Sequence, residues 1–459
     1  MKFMQHLVYD DLIYKFINDF LIMANKNLGT ADVATSVQQT DSVLSEIGGA
    51  VRRVKVKDLS RSLNLSITSP EVYAYGIEFD VTVSSTTATR IGNMSMHRTL
   101  PVQTLMKGCL LDDDGNVVDY LDPQDWTKAT RDGSRGQVMV ELPEYYEKFE
   151  TDGNKRRAWM SLEPLAGFRK VPKRYVSAYQ AYVKNSKLCS IAGVLASSNI
   201  SRTGFRNAAR ARKTGSAEWN CHVYDIQREL YWLFAIEYAQ LSCQTNYNAA
   251  LTAEGYHQGG LGSGVICDGN KWNTYNGYNP FVPCGTTDSL GNRSGVVTYD
   301  TGTKNGVTLG KVSVNRYRGI ECPFAHVWNW TDGINIEVQA GDSGVSKVYV
   351  CRDPKKFSDT GYNGYTYVGN EARTEGFVTQ ITFGEYGDIT AKAVGGSDSS
   401  YHGDYHYTNI PTATTLRGVL FGGYASGGSR CGFVYSRSIS APSDSRADVA
   451  SRLCFLPVA

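Results

Sequence analysis

Apolar and polar residues alternate along Gly76–Ser84, where Ile77, Phe79, Val81 and Val83 are separated by polar side chains, and again along Gln137–Leu142. That period of two is what a half-buried strand requires. The period lengthens to three and four in two places. One stretch covers about Thr203–Lys213 and stops before Gly215, a residue type suited to a helix C-cap. The other covers about His222–Cys243 and puts Ile226, Leu230, Leu233, Phe234 and Leu241 on one face. Beyond Gln244 no long helical period recurs. Glycine-, asparagine- and tyrosine-rich loops fill residues 255–295, short strands are expected at Val345–Cys351 and Phe377–Phe383, and a last one at Leu453–Val458. Strand, two helices, then a long loop-rich β region predict an α+β domain over residues 131–459 whose end strands are placed to pair.

The first 130 residues read differently. Leu12, Ile13, Phe16, Ile17, Phe20 and Leu21 form a helical stripe, but Asp10, Asp11 and Asp19 interrupt it. It is therefore neither a signal-peptide core nor a membrane span. Met23 is an alternative start, with residues 1–22 a leader, an over-read start or a short docking helix. Residues 23–65 are rich in Ser, Thr and Gln, then basic, then helical in pattern through Leu59, Leu63 and Leu65. With so little apolar surface, residues 1–65 are expected to be a helical attachment or oligomerisation segment. Residues 66–130 are expected to be a small β-rich connecting domain. The longest strongly apolar run after the N-terminus, Leu230–Ile236, is far too short to cross a bilayer, so no membrane insertion is expected.

Charge narrows the function. Forty-seven Lys and Arg balance 45 Asp and Glu, a formal net charge of +2, which argues against a protein built to grip nucleic acid. Arg202, Arg206 and Arg210 share a helix face, and a solvated face or pairing with Glu237 explains them better than a phosphate-binding stripe. Ten cysteines without a CxxC read as buried reduced thiols. Asp112–Asn116 reads as a hairpin turn; an EF-hand would need Gly and Glu where Val117 and Pro123 stand. His402 and His406 sit in a glycine-rich context that reads as loop, a poor frame for an i,i+4 metal pair. Gly262-Ser-Gly264 lacks the GxSxG frame. No catalytic residue, metal site or cofactor is expected. Glycine (46) and tyrosine (29, against 16 Phe) are in excess.

Three stretches carry a specific signal: Arg318–Ile334 with its Val327-Trp-Asn-Trp330 run; Thr203–Arg212 running into Leu230–Tyr238; and Leu416–Gly423 continuing to Ser451–Pro457. Together they resemble C-type-lectin-fold proteins of the formylglycine-generating-enzyme type. Within that group the chain is most similar to the variable proteins of diversity-generating retroelements, which include phage tail receptor-binding proteins. The resemblance covers residues 131–459 and is strongest near the C-terminus. It implies a diversified segment at about 416–455, in which Gly422, Gly423, Ala425, Gly428, Gly432, Phe433, Ala441, Ala447 and Arg452 are frame. The implied ligand contacts are Tyr424, Ser426, Gly427, Arg430, Tyr435, Arg437, Ile439, Ser440, Asp444, Arg446 and Asp448. Tyr, Arg and Ser on scaffolded loops match paratope chemistry.

The resemblance further implies a non-enzymatic host-attachment protein at the virion tail tip, made in the bacterial cytoplasm without a signal peptide. Its implied partners are a bacterial cell-surface receptor (protein or glycan), other tail proteins and two further copies in a homotrimer. Two alternatives remain open: an oxidase of the formylglycine-generating type using Cys431 and Cys454, and a bacterial surface adhesin of the same fold. Glu-Pro-Asn, Gln-Pro-Asp and Trp-Asn-Asp are absent, so the calcium-dependent sugar site of true C-type lectins is not expected.

Overall fold

The computed structural model describes residues 42–47, 50–55 and 69–457, which belong to two compact units, Met1–Val72 and Tyr73–Ala459. In the first unit Ser42–Ile47 pairs antiparallel with Ala50–Lys55, from Ser42 opposite Lys55 to Ile47 opposite Ala50. The helical expectation for residues 1–65 therefore fails over this stretch. Val43, Val51 and Val54 favour extended chain, and Gly48-Gly49 between two such runs is a hairpin signal. The apolar stripe at 12–21 and the Leu59–Leu65 pattern lie outside the described residues.

The second unit is α+β and is dominated by sheet. Five strands pair in the order Arg169–Val171, Tyr145–Asp152, Lys155–Ser161, Tyr75–Asp80, Thr89–Gly92. Six more run Trp219–Cys221, Leu453–Phe455, Arg174–Ser177, Gln137–Leu142, Lys107–Leu111, Val117–Tyr120. Strand pairing thus crosses the expected boundary at 130/131: Cys109 lies opposite Met139, and Ile77 opposite Ala158. The alternating Tyr75–Asp80 strand gains its buried face only by joining partners from beyond that point. Leu453–Phe455 closes the unit between Arg174–Ser177 and Trp219–Cys221, so the chain end pairs near the start of the larger region. Asp112–Asn116 is the hairpin turn its sequence indicated, with Asp112 Oδ1 accepting the Asp114 and Asn116 amides at 3.0 and 2.8 Å.

Both expected helices form, each shorter than its sequence pattern. Arg202–Arg210 is capped by Ser201, whose Oγ accepts the Gly204 N–H at 3.1 Å. Tyr224–Tyr238 is buried along its whole length and ends where Ala239 turns left-handed at φ +49°. Burial on all sides makes every charge on it an obligation, and each is met. Asp225 pairs with Arg352, Arg228 with Glu147, Glu229 with Arg174, and Glu237 with Arg318.

The arginine face of the first helix is neither solvated nor paired with Glu237. Arg206 bonds Asp332 and Asp359, Arg202 bonds Asp359 and the Ile334 carbonyl, and Arg210 reaches the Pro354 carbonyl. Asp332 belongs to the long Trp328–Val338 strand, so this network ties the helix to the third sheet. That sheet runs Thr366–Glu371, Ser346–Val350, Trp328–Val338, Thr415–Gly422, Gly432–Arg437, Tyr405–Tyr407, Gly376–Phe383, Asp388–Val394, with Val449–Ala450 beside Trp328. The ten cysteines are free thiols, nine of them buried. No helix among the described residues is long and apolar enough to cross a membrane.

Candidate functional site

The candidate contacts all fall on the Thr415–Gly422 and Gly432–Arg437 strands or on the loops that leave them. Gly422 and Gly423 turn the chain at φ +94° and +84°, where a side chain would strain the backbone. The loop that follows is pinned on both sides. Ala425 donates to the His326 carbonyl and accepts from the Cys267 amide, both at 2.9 Å. Cys431 plugs it from below: its Sγ lies against the Tyr424 carbonyl at 3.4 Å, and a Cβ on Gly423 or Gly427 would come within 2.5 or 2.4 Å of that sulfur. Gly427 therefore belongs to the frame and has no side chain to present. Asp404 fixes the next strand, accepting the Val434 amide at 2.7 Å and filling the space where a Gly432 Cβ would stand.

On this frame sits an aromatic and arginine face. Tyr424 is half-buried and stacks on Trp328, with centroids 5.7 Å apart and planes at 22°. Tyr435 packs on the same tryptophan at 4.5 Å. Tyr405 and Tyr407, which sequence reasoning did not select, join from a distant strand that runs parallel to Gly432–Arg437, placing His406 opposite Ser436 and Tyr407 opposite Arg437. Residues two apart on a strand share a face. Tyr405 accordingly meets Tyr435 at 6.0 Å, and the Arg437 guanidinium lies 5.8 Å from the Tyr407 ring centre. Arg430 lies over Tyr405 at 5.7 Å and holds the Gly427 carbonyl through Nε. The Tyr-His-Tyr alternation at 405–407 is the available signal, since it puts both tyrosines on one face of a strand and His406 on the other.

The remaining candidates divide by exposure. Ser426 and Ile439 are half-buried, and Ser440 is buried with its carbonyl accepting the Gly418 amide at 2.9 Å. Asp444 is exposed and accepts the Ala441 amide at 3.0 Å. Arg446 is exposed and grips the buried Asp448 with two bonds, at 2.9 and 3.0 Å. Tyr435 and Arg437 are only 2 % and 8 % exposed, so little of either reaches solvent.

The hydroxyls of Tyr405, Tyr407, Tyr424 and Tyr435 have no hydrogen-bond partner among the described residues, and none is both unpaired and fully enclosed. Such groups keep donor and acceptor capacity for something outside the chain. Beneath them the Trp328 indole N–H is enclosed without a partner.

The histidines and thiols serve the interior. His402 is buried and bonds the Tyr231 hydroxyl at 2.8 Å, whereas His406 bonds Ser436 and the Ala372 carbonyl at 2.9 and 3.1 Å. Burial pushes their pKa values down to about 3 and about 4, so both are neutral. No group of three metal-ligating side chains occurs among the described residues. Cys431 lies under the Tyr424 loop, while Cys454 sits 3.9 Å from His222 in the six-stranded sheet. Burial pushes both thiols up to about 12, so neither is a ready thiolate. A separate cleft of about 310 Å³, lined by Arg174, Asp225, Arg352, Phe357 and Pro457 among others, contains none of the face residues. No protein-family model matches the chain, and no curated protein is similar to it.

Proposed function

We propose that the chain is a receptor-binding protein of a phage tail, which presents the Tyr424–Asp448 face to a bacterial surface receptor from a C-type-lectin-type scaffold. One observation carries the reading. Tyrosine and arginine side chains with unused hydrogen-bonding capacity are concentrated on a frame whose own positions, Gly423, Gly427 and Gly432, admit no Cβ. Rigid aromatic and arginine anchors on pinned loops are the chemistry of an adaptable binding surface. The two successive helices and the pairing of the C-terminal strand with Arg174–Ser177 support the scaffold assignment. So does the resemblance carried by the last 40 or so residues, which also implies diversification by a retroelement, attachment to other tail proteins and a homotrimer. Three weak sites acting together would gain avidity.

Two tests address this reading. Replacing Tyr424, Arg430 and Arg446 together by alanine is expected to abolish adsorption to cells that bind the wild-type chain while leaving the melting profile close to wild type. Unchanged adsorption would remove the face from the binding function. At the gene level, a near-copy of the segment coding for residues 416–455, differing at adenines and lying beside a reverse transcriptase gene, is expected. An isolated gene without such a copy would contradict the diversification.

A further inference from the structure

Six other arginines are buried in the described residues: Arg202, Arg206, Arg212, Arg228, Arg316 and Arg452. Each bonds at least one acceptor inside the chain through its guanidinium, although Arg212 Nε, Arg228 Nε and Arg316 Nη2 are enclosed without one. Arg437 bonds none. At 8 % exposure it has no ion pair and no hydrogen bond among the described residues, and its Nε is enclosed without an acceptor. Its two Nη groups are equally unpaired but are not fully enclosed, so the open edge of the fork reaches the surface. Asp448, the carboxylate whose charge acts on Arg437, is bonded by Arg446. A buried, unpaired charge is costly, and a fold that keeps one holds it for something that arrives later.

The shape of the opening indicates what arrives. Two Nη donors on one edge match the two oxygens of a carboxylate. Tyr407, 5.8 Å from the guanidinium, and Tyr435, two residues along the same strand, keep unpaired hydroxyls beside it, and Tyr405 and Tyr424 extend the same face through Tyr435 and Trp328; such hydroxyls suit a ligand bearing many hydroxyls of its own. Resting on the receptor-binding reading above, we infer that Arg437 is a carboxylate receptor and that the ligand of this face is an acidic glycan, a polymer carrying uronic acid units.

The test uses the full chain, trigalacturonate, and the same trimer with its carboxyls reduced. Calorimetric titration is expected to show trigalacturonate binding at least about tenfold tighter than the reduced trimer, the loss that follows from removing a charged hydrogen-bond partner. Arg437→Met is expected to abolish that preference while melting at or above the wild-type temperature, because it removes an unpaired charge and keeps the volume. Arg437→Lys is expected to retain part of the preference. Equal binding of the two trimers, no binding of either, or hexaglutamate binding where trigalacturonate does not would each overturn the assignment. So would an Arg437→Met chain that melts well below wild type, which would mark the residue as structural. If these arms fail while the Tyr424, Arg430 and Arg446 triple variant still loses adsorption, the receptor-binding reading stands and only the carboxylate falls.

Discussion

The base of the first helix and the Tyr424–Asp448 face both bury arginine, and they treat it in opposite ways. At the helix, Arg202 and Arg206 are held by Asp332, Asp359, Asn335 and a carbonyl, and almost nothing of either side chain reaches solvent. On the face, Arg437 is buried nearly as deeply and bonds to nothing. The first arrangement fixes a helix to a sheet, because a charge out of water is tolerable only when matched. The second leaves a donor fork unsatisfied among tyrosine hydroxyls that are unsatisfied too. Burial alone therefore does not separate scaffold from site in this molecule; the state of the hydrogen bonds does.

The largest effect is expected at Asp332. Asp332→Ala leaves Arg206 short of its main partner, and a loss of about 3–5 kcal/mol in denaturant unfolding is expected. A change below about 1 kcal/mol would mean that the network is decorative. Tyr435 separates ring from hydroxyl. Tyr435→Ala opens a cavity beside Trp328 and should cost about 3–5 kcal/mol, whereas Tyr435→Phe should leave stability nearly unchanged and weaken only ligand binding. Equal stability of the two variants would show that the ring does not belong to the core.

Titration sharpens the same division. Burial lowers His222, His326 and His402 to about 3 and His97 and His406 to about 4, from an ordinary value of 6.5. The unfolded chain takes up these protons first, so the histidines' contribution to stability is complete above about pH 6.5 and falls as the pH drops toward 4. Glu371 works in the other direction. Burial raises it to about 8, so the folded chain keeps its proton and loses stability as pH rises from about 4.5 to about 8. Unfolding free energies measured across pH 4–8 should show both arms, with Glu371→Gln reducing the alkaline one, to which Glu229 and Glu321, raised by burial to about 7, also contribute. A Glu371→Gln profile identical to wild type would contradict the assignment. The smallest effect is expected at Arg446. Arg446 stands about half in water although Asp448 is buried, and Arg446→Ala should cost about 1 kcal/mol of stability while still weakening adsorption.

Local pattern carried much of the fold. The two helices, the Asp112–Asn116 turn and the pairing of the last strand near the start of the larger region were legible, because each rests on neighbours in sequence or on a strong hydrophobic period. The N-terminal segment was misread over Ser42–Lys55, where valines and a Gly-Gly pair outweigh a polar composition that resembles an exposed helix. Strand pairing across residue 130 was hidden, since alternation marks a strand without naming its partner. The same gap explains the site. Tyr424, Arg430, Tyr435 and Arg437 came from one continuous segment, but Tyr405 and Tyr407 reach them only through a parallel pairing some 30 residues away, His406 with Ser436. Gly427 reads from sequence as an open loop position, and only the fold shows that the Cys431 sulfur fills the space where its Cβ would stand.

The direct measurement is a side-by-side unfolding experiment on Arg206→Met and Arg437→Met, two substitutions of identical chemistry at two buried arginines. Arg206→Met is expected to lose about 3–5 kcal/mol, because Asp332 is left without its closest partner. Arg437→Met is expected to match or exceed the wild type. Comparable losses at both positions would mean that Arg437 supports the fold as Arg206 does, and that its missing hydrogen bonds are not reserved for a ligand.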